Sequence, residues 1–574
     1  MTPADTVADA LRAPTADAVR QRVLAQLVAS LVAEDALKAE RDGTSYTVRG
    51  TATYTFTARE HGFGRVRVHG PVYRDGEPAR SPTRFLEEAG DLLDADPDRL
   101  PGFARELEET VLKDALAQHA RPAGPIDPGA GHDALEALAG DGHRYHPAYK
   151  SRLGFDVDDQ LAFGPEFAPT VHPVWLAVDA ALASVTPSAT APVGSDPEAL
   201  WSAQLAGTGL VPPPGTVPVP VHPWQWRTVI ARAFAPELAS GAIRVLGVDP
   251  HGYRPQASIR TLACVDAPSL PSPKLSLSIT NTSTARGLAP YTVRNAAPIS
   301  DWLAGLVAGD PVLRAARPIV LREVLGISVG EGAGPLDRER EGALSVIWRE
   351  SLHTHLDPDE RAVPFPGLAA RSPEGVPLID PWIRARGARA WARELAEVAV
   401  VPLVHLLVRH GVALESHAQN MLLVHDGGRP TRVALKDFHD GVRFSRADLA
   451  DPAACPPLEA PPAHHGNANS FLETDDLEAV TGFLLDALCF VNLTDVAHLL
   501  ETEYGLAEAA FWAEVVGAVR AHAARVGEFA ARLDRFDVFA PTLEVEKLTA
   551  RRLHPDTEVR VRRVPNEWAV TGAA

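Results

Sequence analysis

Two apolar runs, Met421–Val424 and Arg432–Leu435, flank the pair Gly427–Gly428. Adjacent glycines accept the positive φ that a two-residue turn demands, so the segment is predicted as a β-hairpin. A hairpin brings its two flanks side by side. Here they read Glu415-Ser-His417-Ala-Gln419-Asn420 and Lys436-Asp437-Phe-His-Asp440. Carboxylate, imidazole and amide groups therefore converge at the hairpin mouth, where rigid backbone can fix hard oxygen ligands. Asn420 and Asp437 are the residue types that hold Mg²⁺ against nucleotide phosphates.

The chain has 574 residues, long for a single core, so two to four subdomains are expected. The stretch Arg121-Pro-Ala-Gly-Pro-Ile-Asp-Pro-Gly-Ala-Gly131 reads as a linker. Boundaries near it and before the helix-rich C-terminal part divide the chain into 1–125, 126–375 and 376–574. The first region is helical with a hairpin, the second is β-rich, and the third carries the Gly-Gly hairpin and further helices.

Within the first region, Val19, Val23, Leu24, Leu27 and Leu31 repeat at helical spacing over Thr15–Leu37. Tyr46–Tyr73 alternates as a hairpin, and helical patterning returns at Arg84–Leu93 and Phe103–His119. The second region holds β-like runs at Arg244–Val248, Ser258–Val265 and Leu275–Thr280. The third opens with a helix over Ala388–His410, stopped by Gly411, and closes with helices over Leu477–Val491, Ala497–Glu503 and Ala507–Leu533.

Acidic residues outnumber basic ones by 74 to 55, for a net charge of −19. That balance argues against nucleic acid or an anionic membrane as partner, while leaving room for a local basic pocket. The cysteines, Cys264, Cys455 and Cys489, stand far apart in no metal spacing, as suits a reducing cytoplasm. The start, Met-Thr-Pro-Ala-Asp, has no signal-peptide pattern. Val398–Val408, the most apolar stretch, is 11 residues and too short for a bilayer.

Three further clusters bear on chemistry. His143-Arg-Tyr-His-Pro-Ala-Tyr-Lys150-Ser-Arg152 concentrates cations in an acidic chain. It suits a carboxylate or phosphate cradle, since Arg forks grip oxyanions, or equally a solvated helix start after Pro147. His222-Pro-Trp-Gln225 is either a cleft edge or an aromatic core corner. Ser258-Ile-Arg260-Thr261 and the run from Lys274 through Thr282 to Arg286 offer three cations among many hydroxyls. Strand alternation places Lys274, Ser276, Ser278 and Thr280 on one face. Such a set could neutralise and orient a triphosphate. Gly326-Ile-Ser-Val-Gly330 matches the nucleophile-elbow pattern, but no helix clearly follows it. His353 with His355 reads as a polar loop, and His464-His465 as an exposed one. No P-loop is present.

As an ordered set, these motifs resemble the NRPS-independent siderophore synthetases of the aerobactin-synthetase type, roughly from His143 to Val491. The motifs are His-x-x-His-Pro-x-x-Lys-x-Arg-x-Gly-Phe, His-Pro-Trp-Gln, the Lys…Thr…Arg strand, Glu-x-His-x-Gln-Asn and the closing Asp-Phe. The resemblance implies a mixed α+β fold shaped as a cupped hand of thumb, fingers and palm, the palm with kinase-like nucleotide-binding features. It implies an ATP-dependent ligase that adenylates a carboxylate, often of citrate, for capture by an amine, hydroxylamine or alcohol. It also implies a homodimer. By the same resemblance, Ser258, Arg260, Thr261, Lys274, Thr282 and Arg286 contact ATP, and His417 and Asn420 sit at the α-phosphate. Asp437 holds Mg²⁺, with Glu415 a second metal or positioning ligand. His143, Lys150, Arg152 and Arg286 receive the substrate carboxylates, and Arg286, His417 and Lys274 form the catalytic group.

The chemistry fits independently: two anions must meet, and cations with Mg²⁺ would screen them. His417 is the group able to move a proton near neutral pH. A kinase-like small-molecule phosphotransferase is the alternative, since kinases also order an Asn before an Asp-Phe. Against it stand the missing Gly-rich loop and Glu415 in place of a catalytic Asp. A non-enzymatic iron-reductase or siderophore-binding module would need a C-terminal cysteine cluster, which Cys455 and Cys489 do not supply.

Overall fold

The computed structural model describes residues 3–282, 284–330, 339–462, 469–527, 529–555 and 557–572. His464 and His465 lie outside the described residues. The fold mixes helices with several small sheets.

Helix Pro14–Ala33 buries Val19, Val23, Leu24, Leu27 and Leu31, the residues whose spacing predicted it. The expected N-terminal hairpin is the centre of a five-stranded antiparallel sheet running from Glu40–Asp42 to Glu77–Pro78. Its strand Thr53–His61 alternates, turning Tyr54, Phe56 and Ala58 inward. Helices Pro82–Ala89 and Leu100–Ala120 follow. The apolar core of this N-terminal part is continuous with that of the C-terminal helices, from Val23 to Trp568. The middle of the chain builds a second core from Phe155 to Trp348, around a three-stranded and a four-stranded sheet.

The Gly-Gly hairpin forms as predicted. Met421–Asp426 pairs with Arg429–Leu435, with Leu423 opposite Val433. Gly427 and Gly428 take φ of 53° and 87°. A Cβ on Gly428 would fall 2.2 Å from the Trp382 ring, so no other residue fits there. Ile319–Val320 adds a parallel strand on one side, and Arg361–Pro364 an antiparallel one on the other. Met421, Leu423, Val433 and Leu435 bury into one core and Leu422, Val424 and Ala434 into another, so both faces are covered and the apolar residues do not alternate with polar ones.

Four expectations change. Leu477–Leu485 and Thr494–Tyr504 are joined through a wide-turned stretch, Asp486–Leu493, so the break expected after Val491 is absent. The whole helix, Leu477–Tyr504, is long and apolar enough to cross a membrane, but 72% of its most apolar window is buried in the protein. Ala507–Leu533 divides into Glu508–Arg525 and Phe529–Phe536. Of Ser258–Val265 only Leu262–Cys264 is strand. Ser258–Thr261 is a turn closed by Thr261 N donating to Ser258 Oγ at 3.1 Å, with Ile259 at φ 71°. Finally, Lys274 and Thr280 lie on separate strands, Ser272–Leu275 and Leu277–Asn281. Between them Ser276 donates its hydroxyl to Ser345 O at 3.1 Å, which diverts the chain from one sheet to the next.

Two motifs, one discounted and one left open, resolve as packing. Ser328 is buried within strand Glu323–Val329, with no elbow. His222 and Trp224 are buried, and Gln225 bridges Ser278 and Ala343 O at 2.9 Å each, so this segment is a core corner.

Candidate active site

The flanks of the Gly-Gly hairpin open onto a cleft of about 680 Å³. Residues from the first basic motif, the Ser258–Arg286 segment, the hairpin mouth and the Leu477–Tyr504 helix all line it. The residues assigned to ATP, metal or carboxylate all reach it except Thr261, which is fully buried against Ser258; Ser276, Ser278 and Thr280, expected beside Lys274, do not line it.

One wall is cationic. Arg260 donates through Nη1 to the carbonyl oxygens of Arg286 and Gly287 at 2.7 and 2.6 Å. Arg286 in turn donates through Nη2 to Asn281 O at 3.3 Å and Thr282 Oγ1 at 3.1 Å. Among the described residues neither guanidinium has a carboxylate ion-pair partner, and both Nε atoms are buried with no hydrogen-bond partner. Burial, then the like charge of Arg260, pulls Arg286 down to about 10. Burial lowers Arg260 likewise. Two adjacent, desolvated guanidinium groups are stabilised by an incoming anion.

The facing wall supplies oxygen. Asp437 sits at φ 66° at the hairpin mouth. Its carboxylate takes Arg349 Nη1 at 2.6 Å and Lys274 Nζ at 3.2 Å. Burial opposes its charge, but Lys274, Arg349 and Lys436 outweigh burial and hold it well below the usual carboxylate range. Lys274 also meets His439 Nε2 at 3.3 Å, and burial lowers its own pKa. Asn420 commits its amide nitrogen to Glu415 O at 3.0 Å, leaving the side-chain oxygen to accept a cation. His417 Nε2 lies 3.8 Å from Glu415 Oε2. Burial raises Glu415, His417 partly offsets this, and the negative charges of Asp440 and Glu546 raise it further. Asp440 exposes 55% of its side chain. Asp437, Asp440, Glu415 and Asn420 all line the cleft and are oxygen ligands of the hard type that Mg²⁺ takes; Asp440 lies 3.3 Å from His439 Nε2.

The first basic motif behaves differently. Lys150 Nζ lies 2.7 Å from Asp114 and 3.6 Å from Glu166. Arg152 grips Glu166 with both terminal nitrogens, at 2.9 and 3.0 Å, and Gln160 at 2.9 Å. Lys113 supports the turn by donating to Ser151 O and Arg152 O, each at 2.8 Å. His143 accepts the Tyr145 and His146 amides at Nδ1, and burial pulls it down to about 3, so it is neutral. The candidate carboxylate ligands Lys150 and Arg152 thus already hold internal acids. Arg349 and Asp440 complete the site without having been singled out. Asp440 lay inside the Lys-Asp-Phe-His-Asp run, whereas Arg349 had no local signal at all.

Guanidinium groups with no carboxylate partner among the described residues, sharing a cleft with carboxylate and amide oxygens, are the makings of an enzyme that handles anions. The profile described as IucA / IucC family matches residues 131–370. A second, described as ferric iron reductase FhuF-like transporter, matches 389–561. A Staphylococcus aureus (strain NCTC 8325 / PS 47) protein named 2-[(L-alanin-3-ylcarbamoyl)methyl]-3-(2-aminoethylcarbamoyl)-2-hydroxypropanoate synthase is 39% identical, over 96% of this chain and 93% of its own. A Bacillus anthracis protein named citryl-spermidine/3,4-dihydroxybenzoyl-citryl-spermidine:spermidine ligase is 36% identical, over 96% and 93%. The crystal structure of petrobactin biosynthesis protein AsbB from Bacillus anthracis str. Sterne superposes with a TM-score of 0.90 at 34% identity, covering 100% of this chain and 99% of that one. The chain belongs to the IucA/IucC family of NRPS-independent siderophore synthetases, and it is an enzyme of the ligase type.

Proposed function

We propose that this ligase uses ATP to adenylate a carboxylate of citrate or a citrate derivative, and then joins the acyl group to an amine. The observation that carries the reading is the pair Arg260 and Arg286, buried in the cleft with no carboxylate partner among the described residues and facing the hairpin-mouth oxygens. In the first step a carboxylate oxygen attacks the α-phosphorus of ATP and pyrophosphate leaves. In the second the amine nitrogen attacks the acyl carbon, AMP leaves, and one amine proton is lost. The relatives' names, which include a citryl-spermidine:spermidine ligase, support a citrate-type acid and an amine partner.

Arg286 and Arg260 bind the polyphosphate, and Arg286 is shared with the substrate carboxylate. Screening two anions that must approach each other is worth more in the transition state than before it, so this lowers the barrier. Lys274 holds Asp437 in place. Asp437, Glu415 and Asn420, joined by Asp440, would hold Mg²⁺, which would supply charge neutralisation at the phosphates. His417, beside Glu415, is the group placed to take the amine proton. Lys150 and Arg152 then shape the acid pocket through their fixed position. The same reading carries a homodimer in the cytoplasm.

The test is product identity. With Mg-ATP, citrate and hydroxylamine as surrogate nucleophile, the expected products are AMP, pyrophosphate and a citryl hydroxamate. ADP and phosphate would overturn the reading in favour of a phosphotransferase.

A further inference from the structure

Away from the cleft, His61 ends strand Thr53–His61, and His498 and Glu501 sit on the helix Thr494–Tyr504. The spacing of His498 and Glu501, three residues apart, puts them on one helix face. One ligand atom from each of the three lies within 4.8 Å of the other two. We propose that His61, His498 and Glu501 bind one divalent ion of the zinc class, clasping the N-terminal sheet to the C-terminal helix.

Two observations support this. First, His61 Nε2 and His498 Nδ1 are buried with no hydrogen-bond partner, and the His61 side chain is only 10% exposed. An orphaned, buried imidazole nitrogen is costly unless something accepts its lone pair. Second, His61 is oriented from behind. Its Nδ1 lies 3.2 Å from Glu508 Oε2. Glu508 is itself held by the Gly62 amide at 3.1 Å and the Trp512 indole at 3.3 Å. A carboxylate on Nδ1 fixes the tautomer that leaves Nε2 free, the arrangement found behind metal-ligating histidines. Arg67, on the neighbouring strand, is paired with Asp495 at 2.8 Å.

Two imidazoles and one carboxylate suit zinc, with a fourth position left for water. Tetrahedral zinc spaces its ligand atoms by about 3.3 Å, so the cluster needs only modest side-chain closure. Two other His/carboxylate groups show why this one stands apart. Asp310 already bonds His405 and His410 at 3.1 Å each, and His405 meets His522 at 2.9 Å. His353 is taken up by Asp133 at 2.7 Å. His69, whose ring centroid lies 5.9 Å from that of His61, is exposed and outside the trio.

The experiment is Zn²⁺ titration of the full-length, metal-stripped protein against a chromophoric chelator, with thermal unfolding in parallel. One equivalent bound tightly, with a higher melting temperature, is expected. His498→Ala and Glu501→Gln should each lose that equivalent and the thermal gain, while His69→Ala keeps both. Glu508→Gln should weaken binding by about 10–100-fold. No bound equivalent in the wild type, or an equivalent that survives in His498→Ala and Glu501→Gln, would overturn the proposal. Folding of the variants is checked by circular dichroism, and Glu501→Gln preserves side-chain shape if His498→Ala proves unstable.

Discussion

Two cation pairs, similar as sequence, differ in what surrounds them. Lys150 and Arg152 are buried with Asp114 and Glu166, and their charges are matched inside the protein. Arg260 and Arg286 are desolvated too, yet their described partners are backbone carbonyls and one hydroxyl. Matched ions stabilise the geometry of a wall. Unmatched ions wait for a ligand. Cation density alone therefore does not mark a binding site; the missing counter-charge does.

The comparison breaks most visibly on the matched side. Glu166→Ala leaves Lys150 with Asp114 but strips Arg152 of its carboxylate, and removing one partner of a buried pair costs about 3–5 kcal/mol. Urea unfolding should show that loss. A change under about 1 kcal/mol would mean the cluster is solvated and the contrast false.

Arg286→Ala should do the reverse. Pyrophosphate release should fall by about 10²–10³-fold while the unfolding midpoint stays put, because the residue holds no internal acid. Unchanged turnover would remove Arg286 from the site. His417→Ala should slow amide formation by about 10²-fold, as expected for loss of a proton acceptor. Single-turnover measurement tells whether the acyl-adenylate step survives, and wild-type rates would dismiss the histidine.

The smallest effect sharpens the comparison with the opposite sign. Asp486 lines the cleft with Oδ1 unpartnered, its Oδ2 accepting only the Glu546 amide at 2.9 Å. Burial first, then repulsion from Glu546 and Glu415, raises it to about 7. The folded state keeps this proton to higher pH than the unfolded chain, which releases it near 4. Its stabilising contribution is therefore full below pH 4 and is lost as pH rises through 7. Asp486→Asn should leave stability at pH 4 unchanged and raise it at pH 8, where the wild-type carboxylate is charged. Parallel curves for variant and wild type would place Asp486 in open solvent.

Local pattern made part of this legible. The Gly427–Gly428 turn, the apolar strands beside it and the helix Pro14–Ala33 follow from residue choice over a few positions, where chain connectivity already enforces contact. The continuous helix Leu477–Tyr504 was not legible, because wide helical turns leave no simple periodicity. The strands Ile319–Val320 and Arg361–Pro364 that enclose the hairpin were not either, being distant in the chain.

By itself the sequence determined the residue types at the hairpin mouth, the order of the motifs and hence the family. Tertiary structure decided which charges are neutralised. Arg349 reaches Asp437 across 88 positions, and Lys150 reaches Asp114 across 36. Coulomb interaction and desolvation depend on distance and burial in space, and neither quantity is written in the order of residues along a chain.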